Sequence, residues 1–135
     1  MPQDRPVPGS VEDWLARAEG DLALARAPLP EGAFYEDLCF HTQQAAEKAL
    51  KAVYQHCSRP FRYTHDLDEL ITGLQDEGIA VPPEVADAAL LTSYAWEARY
   101  PGLGEPVTIE EYREALRQAE LVVSWAAKVI KEPKE

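Results

Sequence analysis

Residues 38–55, LCFHTQQAAEKALKAVYQ, decide how this chain folds. At about 100° per residue, Leu38, Thr42, Ala45, Ala46, Ala49, Leu50 and Val53 gather on one side of a helix. His41, Gln44, Lys48, Lys51 and Gln55 fall within an arc of about 80° on the other side. No alternation of apolar and polar residues competes with that period, so a strand is excluded here. The surrounding stretch, 33–57, is rich in Ala, Leu, Glu and Lys, which lose little side-chain freedom in a helix, and it is predicted as one long helix.

Working outward, proline marks the joints, because it lacks an N–H and clashes with the preceding turn. All 11 prolines fall in the zones 1–9, 28–32, 58–63, 78–83, 101–107 and 132–135. Between them lie 10–27, 33–57, 64–77, 84–100 and 108–131, all read as helices. Ser10 with Asp13, and Thr108 with Glu111, have the spacing of a capping box. At a rise of about 1.5 Å per residue, the segment 64–77 reaches only about 20 Å, too short to span a domain that the others cross.

Apolar stripes determine the packing. Val11, Trp14, Leu15, Ala18, Leu22 and Ala25 form one, and Ile109, Tyr112, Leu116, Ala119, Val123, Ala126 and Ile130 form another. The segment 84–100 is apolar almost all round, which predicts a central position. Trp14, Trp96 and Trp125 read as core or interface. The expected architecture is all-α: an antiparallel four-helix up-and-down bundle with a short additional helix, spanning 10–131 as a single domain behind a flexible tail, 1–9. Leu121, Val122, Trp125 and Val129 add a second apolar flank to the last helix, which points to a homodimer.

Composition narrows the function. In 135 residues there are 13 Lys and Arg against 24 Asp and Glu, a formal charge of −11, which argues against a broadly basic nucleic-acid coat or a membrane binder driven by bulk charge. No run is long enough to span a bilayer and the start lacks the pattern of a secretory signal, so a cytoplasmic protein is expected. Two cysteines, Cys39 and Cys57, make no disulfide framework and read as small buried hydrophobes. No phosphate-binding glycine loop or nucleophile elbow is present, and the local spacing of Cys and His supplies no metal cluster, so no metal or cofactor is expected.

The acid excess has a gap. From Lys48 through His65 there is no Asp or Glu, yet Lys48, Lys51, His56, Arg59, Arg62 and His65 lie in it. Fixed cations can attract a phosphate locally against a repulsive overall field, although a solvated face without acids fits equally well. The amide, imidazole and ammonium groups of His41, Gln44, Lys48 and Lys51 on one arc suit phosphate or a base edge. Thr64 or Asp66 caps the next helix, which would leave His65 in its first turn, either as part of the site or as a local hydrogen-bonding group. Arg99, in Arg99-Tyr100-Pro101-Gly102, either binds an anion or caps the helix it closes.

Phe40-His41-Thr42-Gln43-Gln44-Ala45-Ala46-Glu47-Lys48-Ala49-Leu50-Lys51-Ala52, then Thr64-His65-Asp66-Leu67, then Ala98-Arg99-Tyr100-Pro101 resemble, in order and separation, the HEPN domain (higher eukaryotes and prokaryotes nucleotide-binding). The likeness runs from about Ser10 to Ile130. It implies an all-helical, often dimeric bundle that binds nucleotides and often pairs with a minimal nucleotidyltransferase in a toxin–antitoxin-like system. Many members are metal-independent ribonucleases using an Arg and a His four to six residues apart near the start of the final helix. Here that region holds Arg99, Arg113 and Arg117 but no histidine, so the pair is missing from its usual place.

One Arg-x5-His spacing does occur, from Arg59 to His65. In a ribonuclease, His65 would deprotonate a ribose hydroxyl and Arg59 would steady the phosphorane charge. Three expectations follow. The first is a non-catalytic module and homodimer that binds a nucleotide or RNA phosphate through His41, Gln44, Lys48, Lys51, His65, Arg99 and Tyr100 and engages a minimal nucleotidyltransferase. The second is a metal-independent ribonuclease using Arg59 and His65, with His41 as a further candidate, and the third a structural bundle that binds only a protein partner.

Overall fold

The computed structural model describes residues 3–61, 63–97 and 106–132. The side chain of Trp96, and Arg62, Ala98, Arg99, Tyr100 and Pro101 entirely, lie outside the described residues. Helix α1 (Val11–Arg26) starts at Ser10, whose hydroxyl accepts from the Asp13 N–H at 3.1 Å. The Asp13 carboxylate reaches one residue further back than a capping box needs, accepting from Gly9 N–H at 2.9 Å. Helix α2 (Tyr35–His56) is the long amphipathic helix read from the sequence. Helix α3 (Leu67–Asp76) is capped by Asp66, which accepts from Asp68 N–H at 2.9 Å. Thr64 accepts from Asp66 N–H and donates to Glu69, so His65 precedes the helix instead of sitting in its first turn.

The segment expected as one helix over 84–100 is wound in three pieces in its described part. These are α4 (Pro83–Ala86), a 3₁₀ stretch (Asp87–Ser93) and α5 (Tyr94–Glu97). Val85, Ala88 and Leu91 are buried at steps of three, the period at which a 3₁₀ turn stacks side chains on one face. The winding has a consequence for Leu90, which is 75% exposed: this segment is not the centre of the bundle. The centre is α2, where Ala45, Ala46, Ala49, Ala52, Leu50 and Val53 are fully buried. Its alanines let neighbouring helices approach on several sides, which longer side chains would prevent.

Directions alternate along the chain. Asp21 of α1 faces His41 and Lys48 of α2, while Trp14, near the start of α1, lies under Lys51, so α1 and α2 are antiparallel. Helix α6 (Ile109–Lys131) opens with a full capping box, Thr108 with Glu111. It begins beside the start of α2, where the Tyr35 and Tyr112 rings stack at 5.2 Å, and beside the end of α1, where Tyr112 donates to the Ala25 carbonyl. Residues 83–97 run back along α6: Val85 faces Leu121 and Trp125, and Tyr94 faces Glu111 and Ala115. The result is the expected antiparallel up-and-down bundle, with α3 the short additional helix and no strand among the described residues.

The second apolar flank of α6 is partly used inside the chain. Val122 is fully buried, and Leu121 and Trp125, both half-buried, border a groove with Pro82 and Val85 of the α4 region. No described helix is long and apolar enough to cross a membrane.

Candidate functional site

The polar face of α2 is less solvated than its sequence implies, because α1, Phe61 and His65 close over its edges. Asp21 is buried on α1 and takes two donors from α2: His41 Nδ1 lies 2.9 Å from Oδ1, and Lys48 Nζ donates to Oδ2 at 2.6 Å. His41 and Lys48 remain part-exposed, with side chains 32% and 24% accessible. Between them along the helix lies half-buried Gln44, which donates to Gln43 Oε1 at 2.7 Å.

A second carboxylate organises the neighbouring turn. Glu47 Oε1 meets His65 Nδ1 at 2.8 Å and Gln43 Nε2 at 3.1 Å, and Oε2 accepts from Lys51 Nζ at 2.9 Å. Gln43 also donates to the His65 carbonyl at 2.9 Å, which pins the chain entering α3 onto the middle of α2. Burial pushes the Glu47 carboxyl upward, but the hydrogen bonds from His65 and Lys51, with Gln43 behind them, hold it below its ordinary value. Lys51, only 6% exposed, has its ammonium 5.7 Å from the Trp14 ring centre and 5.3 Å from that of Phe61. Those rings add cation–π attraction to the ion pair.

The structure thus brings five of the residues singled out in the sequence onto one face: His41, Gln44, Lys48, Lys51 and His65. Each of the four basic groups among them is matched with a carboxylate, so the face carries far less free positive charge than the acid-free stretch suggests. Lys51 is a buried brace behind Glu47, not a surface donor. Arg59 stands apart: it pairs with Glu77 at 3.2 Å beyond the end of α3, whereas His65 precedes its start. The two residues of the Arg-x5-His spacing thus engage different carboxylates, Glu77 and Glu47. Arg99 and Tyr100 lie outside the described residues.

Sequence reading passed over Asp21 and Glu47. Asp21 did carry a signal: it sits three residues after Ala18 and four before Ala25, an acid on the apolar stripe of α1. A cleft of about 450 Å³ lies elsewhere, between Tyr54, Phe61, Thr64 and α3. Its rim of Asp68, Glu69, Asp76 and Glu77 repels phosphate, so we do not place the site there. Among the described residues no three His, Cys, Asp or Glu side chains stand together as a metal cluster.

The described residues make a small all-helical module packed around one central helix. The HEPN domain model matches residues 11–130, and the chain belongs to the HEPN domain family. Among solved structures, an archaeal HEPN homologue, ST0689, is 32% identical with a TM-score of 0.70, over 90% of this chain and 98% of its own. TT1696 from Thermus thermophilus is 31% identical with a TM-score of 0.77, over 88% of this chain and 97% of its own. No curated protein matches the chain.

Proposed function

We propose that this HEPN module binds a nucleotide or an RNA phosphate on the face made by His41, Gln44 and Lys48, with His65 beside it. In this reading Arg99 and Tyr100 belong to the same site, and the module acts as a homodimer with a minimal nucleotidyltransferase. The observation that carries the reading is the pairing of Lys48 and His41 on one buried carboxylate with their outer atoms accessible. Lys48 keeps two N–H groups for phosphate oxygens and Gln44 keeps one, while the outer nitrogen of His41 can meet a hydroxyl or base edge. Because the cations are already matched with acids, the attraction is short-ranged. Titrating the protein with labelled nucleotides and short RNA at several salt concentrations tests this. Saturable binding that weakens with salt and is lost in Lys48→Ala is expected, and no saturable binding at low salt overturns it.

One observation favours a second reading. Both His41 and His65 present Nδ1 to a carboxylate, the arrangement that orients an imidazole for proton transfer. Metal-independent ribonuclease activity would then rest on these couples more than on Arg59. RNA cleaved in EDTA by the wild type but not by His65→Ala supports that alternative, and intact RNA refutes it.

A further inference from the structure

We propose that Asp21 is the positioning residue of the α2 face, so that removing its negative charge weakens anion binding instead of strengthening it. The inference rests on the binding reading above and deepens it. Charge alone predicts the opposite: a carboxylate this close to Lys48 repels an incoming phosphate, and neutralising it in a protein already at −11 should tighten binding. The geometry assigns Asp21 a different role, because its two oxygens are spent on two different donors. Oδ1 takes His41 Nδ1 at 2.9 Å and Oδ2 takes Lys48 Nζ at 2.6 Å, and both donors come from α2 while the acceptor comes from α1.

Two consequences follow. An ionised carboxylate can only accept, so the imidazole nitrogen facing it must carry the proton. When His41 is neutral, Nε2 is therefore bare; among the described residues it has no partner, and it faces the ligand as an acceptor. The second consequence concerns Lys48. Its four-carbon stem is among the side chains with most rotamer freedom, and the short bond to Asp21 holds the ammonium at one place against α1. Without that bond, a ligand must order the lysine itself. Asp21 touches no ligand in this account and acts only through the two residues it holds.

The test uses the full chain with two probes, inorganic phosphate and a fluorescein-labelled uridine decamer, on wild type, Asp21→Asn and Lys48→Ala. Asp21→Asn should bind the RNA probe about tenfold more weakly than wild type, moving toward Lys48→Ala. Equal or tighter binding overturns the inference while leaving the binding reading intact. Should wild type bind neither probe, the binding reading fails, and a ligand-free measurement still decides the role of Asp21. Long-range proton–nitrogen correlation spectra of the wild-type imidazoles, assigned with His41→Gln, should show neutral His41 protonated on Nδ1. A proton on Nε2 instead overturns the inference, and so does an unchanged His41 spectrum in Asp21→Asn. The wild-type tautomer is read in the folded protein and decides the role of Asp21 even if Asp21→Asn proves poorly folded.

Discussion

Replacing Glu47 with leucine should destabilise the bundle severely, and replacing Lys51 with methionine in the same chain should restore it. Glu47 is the acceptor for Lys51, His65 and Gln43 at 2.9, 2.8 and 3.1 Å, and Lys51 has no route to water at 6% exposure. Removing one partner of a buried ion pair costs about 3–5 kcal/mol, because the other charge stays buried and unmatched. The lower end applies here, since the Trp14 and Phe61 rings continue to attract the ammonium. A loss of about 3 kcal/mol is a large share of a stability of about 5–15 kcal/mol. In urea, at an m-value of about 1.5 kcal/mol per M, it lowers the midpoint by about 2 M. The Glu47→Leu, Lys51→Met double variant replaces the pair with apolar groups of similar size and should return to within about 1 kcal/mol of wild type. Urea unfolding followed by tryptophan fluorescence and circular dichroism measures all three chains. A single variant losing less than about 1 kcal/mol, or a double variant no better than the single, refutes the claim that an unmatched Lys51 ammonium is what destabilises Glu47→Leu.

Acid should act through the same carboxylate. Glu47 is held below its ordinary value in the folded chain, so the unfolded chain takes up its proton first. The stabilisation is present above the ordinary carboxylate value and is lost as pH falls through the folded one. Urea midpoints taken from about pH 6 down to pH 3 should fall more steeply for wild type than for Glu47→Gln, and parallel curves count against it. At Gly73, an added Cβ would run into the hydroxyl of buried Tyr54, which donates to Leu70 O at 2.7 Å, with the ring carbon Cζ 3.3 Å away. Gly73→Ala should therefore cost about 1–3 kcal/mol despite better helix propensity, and become nearly neutral in a Tyr54→Phe background. Equal costs in both backgrounds would sink that explanation. Thr108→Ala removes the cap of α6 and should cost about 1 kcal/mol by thermal unfolding, against no change if the capping box contributes nothing.

Proline placement and helical periodicity made most of the architecture legible. The residues between the proline zones had no alternative to helix, and the length of the 64–77 segment marked it as the extra element before any coordinates. The described part of the segment 84–100 is helical as expected but is wound in three pieces for a physical reason. Its run of alanine and leucine fits an α period and a 3₁₀ period almost equally, and only packing against α6 selects the tighter winding that buries Val85, Ala88 and Leu91 and leaves Leu90 in solvent. Burial of α2 is hidden for a related reason, since its polar arc looks like a solvated face until α1, Phe61 and His65 are laid over it.

The candidate site divides along the same line. One helix suffices to place His41, Gln44, Lys48 and Lys51 on a common face, because angular spacing along a helix is a local property. Which of these side chains remain available is a matter of acids from elsewhere: Asp21 arrives from 20 residues before His41, and His65 reaches Glu47 from 18 residues after it. A string of residues records charge but not distance. The Glu47–Lys51 pair, four residues apart on one helix, is local, but the matching of His41, Lys48 and His65 to carboxylates and the burial of Lys51 come into being only when the helices pack, since those pairings depend on distances of a few ångströms that chain order does not encode.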